Sequence, residues 1–304
     1  MKPRRKDYID APLLRAFSRP QKDATSALTI LTWNIEQGTQ VEAIAEALRS
    51  PLKADVYALQ EVDRYTRRSG YQALPDKFAR HLDVDYVFGA EFEELAQGGA
   101  FDLPLRGQMI LSRLPILATR ILRFRHQPHN WGGWWKPRLS FFRPRRGGRM
   151  ALVAELQWGD SNLVLYNTHL ERLASDQDRA QQMSEIRDDA GSQYPADTPI
   201  IIAGDFNTKG GSRSEVIRLL EAAAFSDTLK TGTGELYTPP RSEQRRDWIF
   251  MRGLHTDDAR IHPLEISGHF PVTATISRAR SGDLENDSSL AKEINREEGE
   301  KHEG

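Results

Sequence analysis

Seven polar residues stand out by type and by place: Asn34 after "LTW", Glu61 after "ALQ", His169 in "NTHL", Asp205 and Asn207 in "GDFN", Asp247 in "RRDWIF" and His269 in "SGHFPV". Carboxylates can hold a cation or accept a proton, imidazoles exchange protons near neutral pH, and amides hydrogen-bond to oxyanions. The chain contains no cysteine. Disulfides and thiolate metal sites are therefore excluded, and any metal must be held by carboxylate, amide, imidazole or water, a donor set that suits a hard cation. Each residue alone has a plain structural explanation. Asp and Asn beyond a strand are turn formers, a single Glu is usually solvated, and a single His is more often hydrogen-bonded scaffold than catalyst. What unites them is their position at the ends of short apolar runs.

Those runs are the elements that must position the set. Strands are expected over Ala27–Ile35, Asp55–Glu61, Gln108–Ser112, Ala151–Leu156, Asn162–Leu170, the "PIIIAGD" stretch from Pro199, Asp247–Met251 and Pro271–Ile276, each short, apolar and bounded by turn residues. Val41–Arg49, Ser175–Ala190 and Arg213–Ala224 carry the spacing of amphipathic helices. Neither an internal repeat nor an interdomain linker interrupts the alternation, so one α/β domain is expected over residues 26–280. Asp205 and Asn207, two apart on extended chain, would share a face.

Of the 304 residues, 38% are hydrophobic and 28% charged, enough for a core. The net charge of -1 hides strong local imbalance. Leu103 to Ala154 holds ten Arg and one Lys without an acid, whereas the stretch from Ser281 carries eight acids against three bases and few apolar residues. The latter reads as a disordered acidic tail over 281–304, and residues 1–25 as a basic extension. No stretch approaches a membrane span and no apolar segment follows the N-terminal charges, which points to a cytoplasmic protein; a monomer is expected.

From Leu31 to Val272 the ordered motifs "TWNI", "LQEVD", "ILSRLPI", "RGGR", "NTHLE", "GDFNT", "RRDWIF" and "SGHFPV" resemble the metal-dependent endonuclease/exonuclease/phosphatase superfamily, which includes deoxyribonuclease I. The resemblance implies a four-layer α/β/β/α sandwich: two mixed β-sheets face to face, helices on the outer faces, and a site at one rim. It implies hydrolysis of a phosphodiester or phosphomonoester with Mg²⁺, or Mn²⁺ in its place. In that pattern Glu61 is the metal carboxylate, with Asn34 lending its amide to metal or phosphate. Asp205 activates the attacking water, Asn207 contacts the phosphoryl group, and Asp247 keeps His269 protonated. His169 meets the phosphate or serves as general acid, and Arg149 and Arg172 are cations for substrate. One departure matters. The family usually reads Ser-Asp-His where this chain reads Ser267-Gly268-His269, which leaves the missing acid's work to Asp63, Asp102 or water, or marks an inactive relative that still binds nucleic acid or membrane. An Asp restored at 268 is expected to tighten the cation.

Substrate choice is expected from Arg123 to Arg146, which holds three Trp, three Phe, six Arg, one Lys and two His with no acid. Trp131, Trp134 and Trp135 could stack on bases or enter a lipid interface while the arginines neutralise phosphate. Nucleic acid is the expected partner and anionic phospholipid the alternative. The same aromatics could instead pack back on the sandwich.

Overall fold

The computed structural model describes residues 11–16, 27–99, 102–128, 145–229, 237–238 and 244–278. Among the described residues, fourteen strands form two mixed sheets. The first joins β1 (Leu13–Arg15), β2 (Ala27–Asn34), β3 (Val56–Arg64), β4 (Asp85–Glu94), β5 (Leu105–Ser112), β7 (Arg145–Gly147), β13 (Leu254–Ile261) and β14 (Val272–Arg278) in the order β1-β4-β5-β3-β2-β14-β13, with β7 also on β4. The second joins β6 (Ile116–Arg123), β8 (Met150–Trp158), β9 (Ser161–His169), β10 (Ile200–Asp205), β11 (Ser226–Asp227) and β12 (Asp247–Arg252) in the order β11-β12-β10-β9-β8-β6.

Strict alternation along the strands builds the layers. Leu28, Ile30, Val56 and Ala58 of the first sheet pack on Leu163, Leu165, Ile201, Ala203 and Ile249 of the second, forming the inter-sheet core. Their neighbours point the other way. Leu31, Trp33, Tyr57 and Leu59 meet α1 (Val41–Arg49) and α2 (Leu74–Leu82), while Val164, Tyr166, Ile200 and Ile202 meet α3 (Asp176–Gln193) and α4 (Glu215–Ala222). The result is an α/β/β/α sandwich.

Helix starts follow local chemistry. Ser175 and Asp178 form a reciprocal capping box at α3. Ser214 caps α4 and also donates to Asp176 Oδ1 of α3 at 2.7 Å, which joins the two helix starts. Leu13–Arg15, within the basic extension, pairs with Tyr86–Phe88 as an edge strand. No helix among the described residues is long and apolar enough to cross a membrane. Residues 281–304 lie outside the described residues.

Two buried amides stitch the sheets together near one rim. Gln60 Nε2 of β3 donates to Asn167 Oδ1 of β9 at 2.8 Å and to Thr32 Oγ1 at 3.0 Å. Asn167 Nδ2 returns bonds to the Leu59 and Met109 carbonyls at 3.0 and 2.9 Å. Such bonds fix the sheets' relative register, because a slip leaves buried polar groups unpaired.

Candidate active site

The strand alternation that buries Ile201 and Ala203 between the sheets also aims Asp205 into the gap, and the same parity holds for His169 after Leu165 and for Asp247 before Ile249. Register then sets these residues side by side: Asp205 pairs with His169 on parallel β9 and with Asp247 on antiparallel β12. Gly204 permits that closeness, because a Cβ there would lie 1.8 Å from the Thr168 carbonyl oxygen. The opposite sheet contributes Asn34, on the inner face with Ile30, whose Nδ2 donates to Asp205 Oδ2 at 3.0 Å. His169 Nε2 lies 3.3 Å and His269 Nε2 3.7 Å from the same oxygen.

Asp205 and Asn207 do not share one continuous extended segment. The strand ends at Asp205, Asn207 takes a left-handed φ of 51°, and its N–H donates to Asp205 Oδ1 at 2.9 Å. An Asx-type turn, which Asn tolerates, therefore replaces the expected shared face. Asn207 Nδ2 donates to the Leu170 carbonyl at 3.0 Å, leaving Asn207 beside Asp205 and fully buried.

Glu61 arrives by a different device. By alternation it should point outward with Tyr57 and Leu59, but a register shift between Leu59 and Val62 and a left-handed φ of 56° turn it toward the rim. Both of its hydrogen bonds, from Gln37 Nε2 at 3.1 Å and Arg106 Nη1 at 3.4 Å, land on Oε2. Oε1 faces His169 Nδ1 at 4.0 Å, and that buried nitrogen has no hydrogen-bond partner among the described residues. The loop between β2 and α1 holds two more left-handed residues, Glu36 (φ 47°) and Gln37 (φ 66°), each costing about 1–2 kcal/mol. Strain concentrated in this way is a mark of function.

The loop bearing His269 is fastened from below. Trp33, buried against the α1 and α2 layer, donates from Nε1 to Ser267 Oγ at 2.8 Å. Ser267 Oγ in turn bonds the Asn34 carbonyl at 2.9 Å and receives the His269 N–H at 3.1 Å.

Charge states differ sharply between the two histidines. Burial and the nearby Arg149 guanidinium push His169 down to about 3, against the pull of Asp205 and Glu61, so it is neutral at physiological pH. Burial also works against a charge on His269, but Asp247, 2.7 Å from Nδ1, and then Asp205 overcome it and raise the group to about 9. Glu61 likewise resists its burial: the Arg106 guanidinium, with the hydrogen bond from Gln37, holds it well below the usual carboxylate range. A neutral His169 is not a cationic general acid. It remains able to donate or accept a hydrogen bond.

Residues 31–268 match the Endonuclease/Exonuclease/phosphatase family. The chain belongs to that family. Its members are hydrolases acting on phosphoester bonds. Similar solved structures include an endonuclease/exonuclease/phosphatase from Beutenbergia cavernae, with TM-score 0.62 and 17% identity over 84% of this chain and 72% of that one. The human Nocturnin catalytic domain with bound sulfate anion follows at TM-score 0.63 and 15% identity, over 85% and 97%. D. rerio TDP2 complexed with single strand DNA product has TM-score 0.57 and 17% identity, over 83% and 100%. At these identities the likeness is one of fold. No curated protein gives a significant sequence match.

Within this endonuclease/exonuclease/phosphatase fold, the remaining candidates scatter. Arg149 is buried and ion-paired with Glu171 at 3.3 Å and Glu91 at 3.4 Å, so it acts on the site through its field and not as a contact open to solvent. Arg172 is exposed three residues beyond His169. Asp63 cannot replace the missing acid, because Arg68 grips it at 2.6 and 2.8 Å in the interior; Asp102 is exposed. Trp131, Trp134 and Trp135 lie outside the described residues.

The basic block is less free than its composition implied. Arg106 and Arg145 pair with Glu94, Arg146 with Glu93, Arg149 with Glu91 and Arg120 with Asp189. Gln37, Arg106 and Ser267 are site residues that the motifs did not single out. A signal existed for Ser267 alone, as a member of "SGHFPV".

Proposed function

We propose that this protein is a divalent-metal-dependent phosphodiesterase acting on nucleic acid. One observation carries the reading: Asp205 stands between His169 and Asp247 at the rim, facing Asn34 from the other sheet, with a protonated His269 at 3.7 Å. Phosphoryl transfer needs a positioned water, a cationic donor for the nonbridging oxygens and help for the leaving oxygen. Asp205 is the base for the water, its carboxylate oriented by the Asn34 amide and the Asn207 N–H. His269 donates from Nε2 to the phosphoryl oxygen while Asp247 holds Nδ1. Neutral His169 and the Asn207 side chain complete the polar wall.

The donors fit a hard cation. Glu61 stays ionised, its Oε1 lacks a hydrogen bond among the described residues, and the orphaned His169 Nδ1 faces it. Asp205, Asp247 and His269 also bring ligand atoms within 4.8 Å of one another, but a protonated imidazole repels a cation, which favours Glu61 and Asn34 as its holders. Mg²⁺, or Mn²⁺ in its place, would supply charge neutralisation on the phosphate there.

The likeness of fold to D. rerio TDP2 complexed with single strand DNA product and the exposed Arg172 support nucleic acid. The test is a cleavage panel of plasmid, single-stranded, abasic and RNA substrates beside sphingomyelin and phosphoinositides, with Mg²⁺ and with EDTA. Cleavage of nucleic acid alone, lost with EDTA and steeply salt-dependent in binding, is expected. Hydrolysis of phospholipid alone would move the substrate to the lipid class, and no turnover of any substrate would refute the enzyme. Changing Trp131, Trp134 and Trp135 together to Ala should weaken cleavage of the polymer but spare bis-nitrophenyl phosphate. Equal activity on both would leave the aromatic segment without a role in specificity.

A further inference from the structure

We propose that Glu36 supplies, from the loop between β2 and α1, the carboxylate that Ser267-Gly268-His269 lacks, and that Glu36 and Gly268 act as one coupled element of the cation site. The inference rests on the metal-dependent reading above. The Gly268 N–H donates to Glu36 Oε2 at 2.9 Å. A Cβ built on Gly268 would lie 3.2 Å from that oxygen, 3.4 Å from the carboxylate carbon and 3.5 Å from the other oxygen. The Glu36 carboxylate thus lies in tight contact with the position where a side chain at 268 would begin. Gly268 is not in the left-handed region, so its φ does not require glycine; a Cβ there would need the exposed Glu36 carboxylate to give by a few tenths of an ångström.

The rest of the loop ties this carboxylate to the two groups assigned to the cation. The Glu36 N–H donates to Asn34 Oδ1 at 3.0 Å, and the next residue, Gln37, donates to Glu61 Oε2 at 3.1 Å. Both residues hold left-handed backbone to make those contacts. From the other side Ser267 bonds the Asn34 carbonyl. An independent feature points to a ligand at Glu61, the carboxylate to which this loop is tied: His169 Nδ1, on a side chain 2% exposed, has no hydrogen-bond partner among the described residues and faces Glu61 Oε1. Glu36 is exposed to solvent, so it can reach the cation directly or through a bound water, as Mg²⁺ and Mn²⁺ sites rich in water allow.

The test is Mn²⁺ binding to the full chain, read by electron paramagnetic resonance without any substrate. Glu36→Gln keeps an oxygen to accept the Gly268 N–H and removes only the charge. It should weaken Mn²⁺ about tenfold with an unchanged melting temperature. Gly268→Asp alone should not tighten Mn²⁺, since the new side chain meets Glu36 and two like charges crowd one spot. The double variant E36Q/G268D should return to within about threefold of the parent. Parental affinity in E36Q, or a double variant no better than E36Q, would overturn the role of Glu36. A Glu61→Gln control separates the two readings: if it loses Mn²⁺ while E36Q does not, only the present inference fails. If the parent chain binds no Mn²⁺, or E61Q binds as well as the parent, the metal reading falls and this one with it.

Discussion

Asp247→Asn isolates the charge that keeps His269 protonated. Asp247 is fully buried, lies 2.7 Å from His269 Nδ1, and is the largest influence raising that histidine against burial, from 6.5 to about 9. At 1.36 kcal/mol per unit, the net shift favours the imidazolium by about 3 kcal/mol. Asn preserves the shape and a hydrogen bond but removes the charge, so the group should fall toward 6.5, with Asp205 at 3.7 Å retaining part of the effect. At about pH 7.5 the protonated fraction would drop from roughly 97% to roughly 10% as the value approaches 6.5, a tenfold loss in kcat/KM from protonation alone, recovered on acidification to about pH 5.5. Stability should follow. A His raised in the folded state contributes stability that is complete below about 6.5 and lost as pH rises through about 9. The parent should therefore weaken between those values and the variant should not. Imidazole titration by NMR, pH-rate profiles on bis-nitrophenyl phosphate and urea unfolding at each pH are the assays. An unshifted His269 titration in D247N, or activity within about twofold of the parent at pH 7.5, would refute the reasoning.

Arg149→Met should destabilise the fold by about 3–5 kcal/mol in urea unfolding, since it strands Glu91 and Glu171; a change confined to KM would instead make it a substrate contact. Removing Arg149's field should also raise the His169 value in NMR titration, because that guanidinium is, after burial, the main influence depressing it. His169 is buried neutral, and its unfolded form takes up a proton near 6.5 while the folded form does so only near 3. Stability should fall as pH drops through that window, and His169→Gln should flatten the fall in acid unfolding curves. Asn167→Leu, which leaves Gln60 and two carbonyls without their partner, should cost about 3 kcal/mol or more in chemical denaturation; a neutral result would mean that the inter-sheet amides do not hold the register.

Much of the frame could be read from local pattern. Val41–Arg49 occupies the predicted helix, and the apolar runs ending at Asn34, Asp205 and His169 are strands, because an inner and an outer apolar face were both written into period-two sequence. Where the pattern was polar it misled. Asp85–Glu94 is a strand despite Glu91, Glu93 and Glu94, all of them buried, because arginines from β5, β7 and the residue just before β8 reach across to pair with them. Leu254–Ile261 alternates charge on an edge, and Leu74–Leu82 is a short helix whose apolar face shows only against the sheet. At the site, residue types announced acid–base chemistry. Tertiary structure decided how each residue came to the rim: Glu61 through a bulge that reverses its face, Asn207 through a turn, His169 made neutral while His269 is held charged. It also set Glu36 against Gly268, 232 positions apart in the chain. Local sequence carries side-chain periodicity, but electrostatic environment and long-range contact depend on which distant groups folding brings within a few ångströms.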